Sequence, residues 1–140
     1  MAFALGPLLV RAISDESAPR ALVEDDALLA ILLAELLAGM GHDVCATAAT
    51  EAEAVIAATR HGPDLMIVDE GLARGGSGVS AVEEILRAGP RAHVFLSGDT
   101  EKVRGRRPDA IVVRKPFREA ELARAIDVAL AAASLHEPNT

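Results

Sequence analysis

The chain has 140 residues, just over half of them hydrophobic, with three Phe, no Tyr, no Trp and a formal charge of −7. This is the length of one domain, able to bury an aliphatic core without disulfides or metal staples. The acidic balance argues against a sequence-independent grip on nucleic acid, which needs a basic face, and no apolar run approaches the ~20 residues of a membrane span.

Residues 1 to about 19 stand apart from the rest of the chain. Met1 to Val10 is apolar but lacks a basic start and is broken at Gly6-Pro7, so it does not read as a signal peptide. Ser14 to Pro19 reads as a linker. The stretch is therefore expected to be a loose extension, with a docking arm for a partner as the other reading.

From Arg20 short apolar runs alternate with helical ones. Ala21 to Val23 reads as a first strand running into Glu24-Asp25-Asp26. Asp26 can cap a helix from Ala27 to Ala38, stopped by Gly39 and Gly41. That helix carries a single charge, Glu35, and a helix apolar all round is buried or lies in an interface, so self-association as a homodimer is expected there. Asp43 to Thr47 is short and partly polar, as an edge strand is. It holds the only cysteine, Cys45, which reads as a small buried hydrophobe. One cysteine forms no disulfide within the chain, and it suggests a reducing, cytoplasmic compartment.

Thr50-Glu51-Ala52-Glu53 forms a capping box for a helix to about Arg60, ended by Gly62-Pro63. Asp64 to Val68 is an apolar run that ends in Asp69 and breaks into a glycine-rich loop, Glu70 to Gly78. Such a run reads as a buried parallel strand. A helix is expected from Ser80 to Ala88, a strand from His93 to Leu96, and a helix of a turn or two within 99–109. Ala110 to Val113 reads as the last strand, and Phe117 to Ala133 as a long final helix with Leu122, Ile126, Ala129 and Ala133 on one stripe. Residues 134–140 read as a tail.

Strands alternating with helices imply a parallel sheet covered on both faces, and right-handed crossovers leave few topologies. The expected fold is a flavodoxin-like (βα)5 three-layer sandwich with strand order 2-1-3-4-5. In such sheets the chemistry lies at the carboxyl ends of the strands. Three of those ends offer a lone carboxylate (Asp69), an acidic cluster (Glu24 to Asp26) and an amine (Lys115). That combination suits a divalent cation and a phosphoryl group.

The set Glu24-Asp25, Asp69, Ser97 and Lys115-Pro116 resembles the receiver domain of bacterial two-component response regulators, over about residues 20–133. The resemblance implies that Asp69 accepts a phosphoryl group as an acyl phosphate from a histidine kinase or phosphotransfer protein. It implies Mg²⁺ held by Asp25 directly, Glu24 through water, Asp69, and the backbone carbonyl of Gly71. Ser97 would hydrogen-bond the phosphoryl oxygens. Lys115 would pair with the carboxylate before transfer and the phosphoryl group after it, aimed by a cis bond to Pro116.

Three departures stand out. Val112 occupies the place of the family's switch aromatic. The stretch from Ser97 to Lys115 is short, which truncates the fourth helix and fills it with Lys102, Arg104, Arg106 and Arg107, a candidate surface for an acidic partner. The loop after Asp69 has Ala73 in place of the usual proline, and an added residue before Gly78. The expectation is a stand-alone receiver, a switch rather than an enzyme, read by a downstream protein. The alternative is a pseudo-receiver, an interaction or dimerisation module with an idle site. A nucleotide-binding enzyme ranks below both, because Gly75-Gly76-Ser77-Gly78 lacks the Lys-Ser/Thr of a phosphate loop.

Overall fold

Alternate residues of a strand point to opposite faces of its sheet, and here both faces are apolar. Leu65 and Ile67 join Leu22, Val94 and Leu96 on one side, whereas Met66 and Val68 join Ala21, Val23 and Phe95 on the other. A sheet apolar on both faces must be covered twice. The computed structural model, which describes residues 19–72 and 75–135, shows that arrangement.

The elements run β1 (Pro19–Val23), α1 (Ala27–Gly39), β2 (Asp43–Ala48), α2 (Glu51–His61), β3 (Leu65–Asp69), α3 (Gly78–Leu86), β4 (Ala92–Ser97), α4 (Thr100–Arg106), β5 (Val112–Arg114) and α5 (Glu119–Leu135). The strands pair in parallel in the order β2-β1-β3-β4-β5, as expected for the flavodoxin-like sandwich. Leu37 of α1 and Leu122, Ile126 and Ala129 of α5 close one face. Ala54 and Ala58 of α2, Val79, Val82 and Ile85 of α3, and Val103 of α4 close the other.

The local signals act as they read. Asp26 Oδ1 accepts from the Leu28 and Leu29 amides at 3.0 and 3.1 Å. Thr50 Oγ1 accepts from the Glu53 amide at 3.1 Å, while Glu53 Oε1 accepts from the Ala49 amide at 2.9 Å. Gly62 ends α2 in the left-handed region at φ 53°, where a side chain would be strained.

Several boundaries move. Pro19, expected in the linker, is the first residue of β1 and its carbonyl accepts from the Asp64 amide at 2.9 Å. Proline is tolerated there because the first residue of a strand need not donate. α3 starts at Gly78 with Ser77 as its cap, two residues before the expected Ser80. β5 is Val112–Arg114 and α5 opens at Glu119. Cys45 is half-buried rather than buried, its thiol donating to the Arg20 carbonyl at 3.3 Å, and partial burial pushes that thiol up.

α1 is not enclosed. Leu37 is its one fully buried side chain, and Leu28, Leu29, Ile31 and Leu32 are 65, 43, 57 and 51% exposed. No helix among the described residues is long and apolar enough to cross a membrane. The readings of residues 1–18 as an extension, of 136–140 as a tail, and of Ala73 as a missing loop proline lie outside the described residues.

Candidate functional site

Parallel pairing brings the carboxyl ends of β1, β3 and β5 to one edge. Glu24 directly follows β1, and its amide continues the ladder by donating to the Ala48 carbonyl at 2.8 Å. Its side chain is therefore drawn inward, and the residue is 4% exposed. Oε2 accepts from the Asp26 amide at 3.1 Å, but Oε1 is buried without a partner. Burial pushes this carboxyl up to about 7, with the Asp69 charge adding to the rise while the Asp26 amide and Lys115 oppose it.

Asp69 closes β3 and is 8% exposed. Lys115 follows β5 in a cis peptide bond to Pro116, and its amide donates to the Ser97 carbonyl at 2.8 Å. From that position Nζ reaches Asp69 Oδ1 at 2.7 Å. Asp25 is exposed beside them, and one oxygen from each of Glu24, Asp25 and Asp69 lies within 4.8 Å of the others. Three carboxylates gathered around one ammonium form an electron-rich cluster, and one buried oxygen lacks any donor. A hard divalent cation, which takes carboxylate oxygens and keeps several waters, fits this donor set.

Ser97 and Gly71 stand differently. Ser97 is buried, but its hydroxyl donates to the Asp99 carbonyl and accepts from the Asp99 amide, both at 2.9 Å. It is engaged with its own turn rather than with Asp69. Gly71 lies at the mouth of the β3–α3 loop, bridged antiparallel to Ser77.

Three contacts around this loop escape sequence reasoning. A Cβ on Gly78 would run into the Asp69 carbonyl and lie 2.7 Å from Val68 Cγ1, so only glycine lets α3 begin against β3. Glu51 Oε2 accepts from the Ser77 amide at 2.7 Å across 26 residues, tying the loop to α2. Glu70, next to Asp69, pairs with Lys102 of α4 at 3.4 Å. The run of glycines in the sequence points to some close approach without saying which glycine makes it. Nothing in Glu51, a first-turn glutamate inside the capping-box stretch, signals a tie to a distant loop.

The basic cluster of α4 is partly used internally. Besides the Lys102 pair, Arg106 holds Glu83 and donates to Ser80 Oγ at 3.1 Å, both on α3. Val112 pairs in register with Phe95 and packs against the core below α4.

Comparison with known proteins accords with this arrangement. The chain is 37% identical over 112 residues to the phyllosphere-induced regulator PhyR of Methylorubrum extorquens, covering 78% of this chain and 42% of that protein. The chain thus spans less than half the length of that relative. The solution structure of the Erythrobacter litoralis PhyR response regulator REC domain superposes with a TM-score of 0.78 at 33% identity, over 89% of this chain and 96% of that one. The anti-anti-sigma factor PhyR from Bartonella quintana superposes with a TM-score of 0.73 at 27% identity, over 96% and 57%. Residues 21–127 match the family described as the response regulator receiver domain. With the parallel sheet in the order 2-1-3-4-5, the acidic group at its edge and a family match over most of its length, this chain belongs to the response regulator receiver family.

Proposed function

We propose that the chain is a phosphorylation switch in which Asp69 accepts a phosphoryl group from a histidine kinase or a phosphotransfer protein. The observation that carries this reading is the 2.7 Å contact of Lys115 Nζ with Asp69 Oδ1 beside Glu24 and Asp25. In the proposed transfer a carboxylate oxygen of Asp69 attacks phosphorus, an acyl phosphate bond forms, and the donor's phosphorus–nitrogen bond breaks with its electron pair leaving on the imidazole. Glu24, Asp25, Asp69 and the Gly71 carbonyl would hold Mg²⁺, which supplies charge neutralisation between two anions. Lys115 orients the Asp69 carboxylate beforehand and pairs with a phosphoryl oxygen afterwards. Ser97 must exchange its Asp99 contacts for the phosphoryl group, a turn rearrangement that links the acceptor to α4.

The output in this reading is protein contact, with phosphorylation shifting a two-state population that a partner reads. The Bartonella neighbour, an anti-anti-sigma factor, supports that kind of output. A cytoplasmic setting goes with it. The domain division 20–133 is part of the same reading, widened to take in Pro19 of β1 and Ser134 and Leu135 of α5.

Two observations favour a second reading, an idle pseudo-receiver. Val112 cannot make the aromatic movement that couples many receivers to their surfaces, and Ser97 faces away. The deciding experiment is incubation with acetyl phosphate and Mg²⁺, read by intact mass, with Asp69→Ala alongside. The expected result is a phosphoryl adduct that needs Mg²⁺ and is absent from the variant. An unmodified protein under conditions that load another receiver, together with no Mg²⁺ binding by titration, favours the idle site.

A further inference from the structure

We propose that the cavity at the amino ends of β4 and β5 binds a small organic anion, a carboxylate carried on an apolar body. The cavity measures about 720 Å³, within the range of small-molecule sites. It lies between the end of α3, the loop after α4 and the last turns of α5. Two features of the sequence leave this space open. α4 stops at Arg106 after 7 residues, and α5 presents Ala129, Ala132 and Ala133, side chains too small to fill it. Its rim is ordered backbone. The Arg107 amide donates to the Val103 carbonyl at 2.9 Å, the Ala110 amide to the Arg107 carbonyl at 3.0 Å, and the Phe95 amide to the Ile111 carbonyl at 2.9 Å.

An anion is the occupant that the charges favour. Leu86, Ile111 and the three alanines supply an apolar lining, and Arg91, His93, Arg106 and Arg107 join them. Arg106 is engaged by Glu83 and Ser80. Arg91 and Arg107 are half-buried, and neither forms an ion pair among the described residues. Arg91 gives one Nη to the Pro63 carbonyl, while its Nε is buried with no acceptor. The His93 Nδ1 is taken up by the Arg91 carbonyl at 2.7 Å, and Arg107 lies near enough for its charge to oppose protonation of that ring. Asp109 is the one acid in the lining, exposed, and offsets one of the two free guanidinium charges. A local positive excess thus remains in a chain of −7 overall. A cationic ligand would be repelled there and a neutral one would leave both arginines without a counter-ion, whereas a carboxylate matches a guanidinium in charge and shape. β4 runs from Ala92 to Ser97, so the cavity lies roughly 17 Å from the acidic edge at ~3.3 Å per residue. The proposal stands whether or not Asp69 accepts a phosphoryl group.

The test is a ¹H–¹⁵N NMR titration of the full chain, without Mg²⁺ or phosphodonor, using octanoate, octan-1-ol and acetate, each to about 3 mM. Octanoate is expected to shift the amides of Ala92, His93, Ile111 and Ala133 saturably. Octan-1-ol, which lacks the charge, and acetate, which lacks the apolar body, should each bind at least about tenfold more weakly. Arg107→Gln is expected to weaken octanoate about tenfold and leave octan-1-ol unchanged. Ala132→Phe, at an exposed position of the lining, should weaken both by filling the space, with the rest of the spectrum retained. No saturable shift at these amides, equal binding of octanoate and octan-1-ol, or shifts centred on the apolar face of α1 would overturn the proposal. Octanoate binding that both variants leave unchanged would overturn it as well.

Discussion

Glu24 carries an internal conflict that defines the site. Its carboxyl is almost wholly buried, one oxygen has no donor, and the Asp69 carboxylate lies close by. An unsatisfied buried acceptor costs about 1–3 kcal/mol, so without a cation the residue works against the fold. Glu24→Gln keeps the shape and removes a charge, and its amide can supply a donor where none exists. The expected outcome is that the variant in EDTA is more stable than the parent by about 1–2 kcal/mol. Added Mg²⁺ should then raise the parent's urea midpoint more than the variant's. A variant less stable than the parent in EDTA would mean that Glu24 is held by something other than a cation. Ser97 teaches a related point. Burial and position mark it, but its hydroxyl is bonded within its own turn, so contact with a group on Asp69 would require movement.

At the scale of elements, the β3–α3 junction is the most constrained part of the structure. α3 begins so close to β3 that Gly78 touches the backbone of Asp69. Alanine is a better helix former than glycine by up to ~1 kcal/mol, so on an unconstrained helix Gly78→Ala would stabilise. Here the added methyl meets backbone, which cannot swing aside. The expected outcome is destabilisation by about 1–3 kcal/mol, measured by urea unfolding, with a slower gain of the phosphoryl adduct from acetyl phosphate. Unchanged stability would show that the strand and helix can part without cost. The loop is further held by Glu51 on the Ser77 amide, and α4 is held from both sides through Lys102 to Glu70 and Arg106 to Glu83. A shift of α4 would therefore act through Lys102 on Glu70, the residue next to Asp69.

For the whole molecule, the acidic pH limit depends partly on His93. Its ring lies edge-on to Phe95, with centroids 5.4 Å apart, and Nδ1 lies 2.7 Å from the Arg91 carbonyl. Burial, with the Arg107 charge adding to it, lowers its pKa below the usual 6.5 even though the Arg91 carbonyl favours the proton. Between the folded value and 6.5 the unfolded chain binds more protons, so stability rises with pH in that window and is lost as pH falls through it. The slope contributed by one site is at most about 1.4 kcal/mol per pH unit. In His93→Leu that contribution should vanish, so towards acid the parent's urea midpoint should fall relative to the variant's. Parallel curves would remove His93 from the account.

The architecture was legible in the sequence because it rests on local, repeated signals. Alternating strands and helices, Asp26 and Thr50 as caps, and Gly62 as a stop specify the elements, and the right-handed crossover rule then leaves few strand orders, among them the one observed. The acidic group and Lys115 were legible because in such a sheet the residue that ends a parallel strand stands at a common edge. What only the tertiary structure decided depends on which distant atoms meet. Gly78 rather than another glycine touches Asp69, Glu51 reaches a loop 26 residues away, and the basic run of α4 is partly paired with α3. The same holds for α1, whose composition said buried or interfacial without choosing. Packing buries Leu37 and leaves Leu28 and Leu32 in solvent, because a helix covering the sheet offers it a single face while its sequence is apolar on all of them.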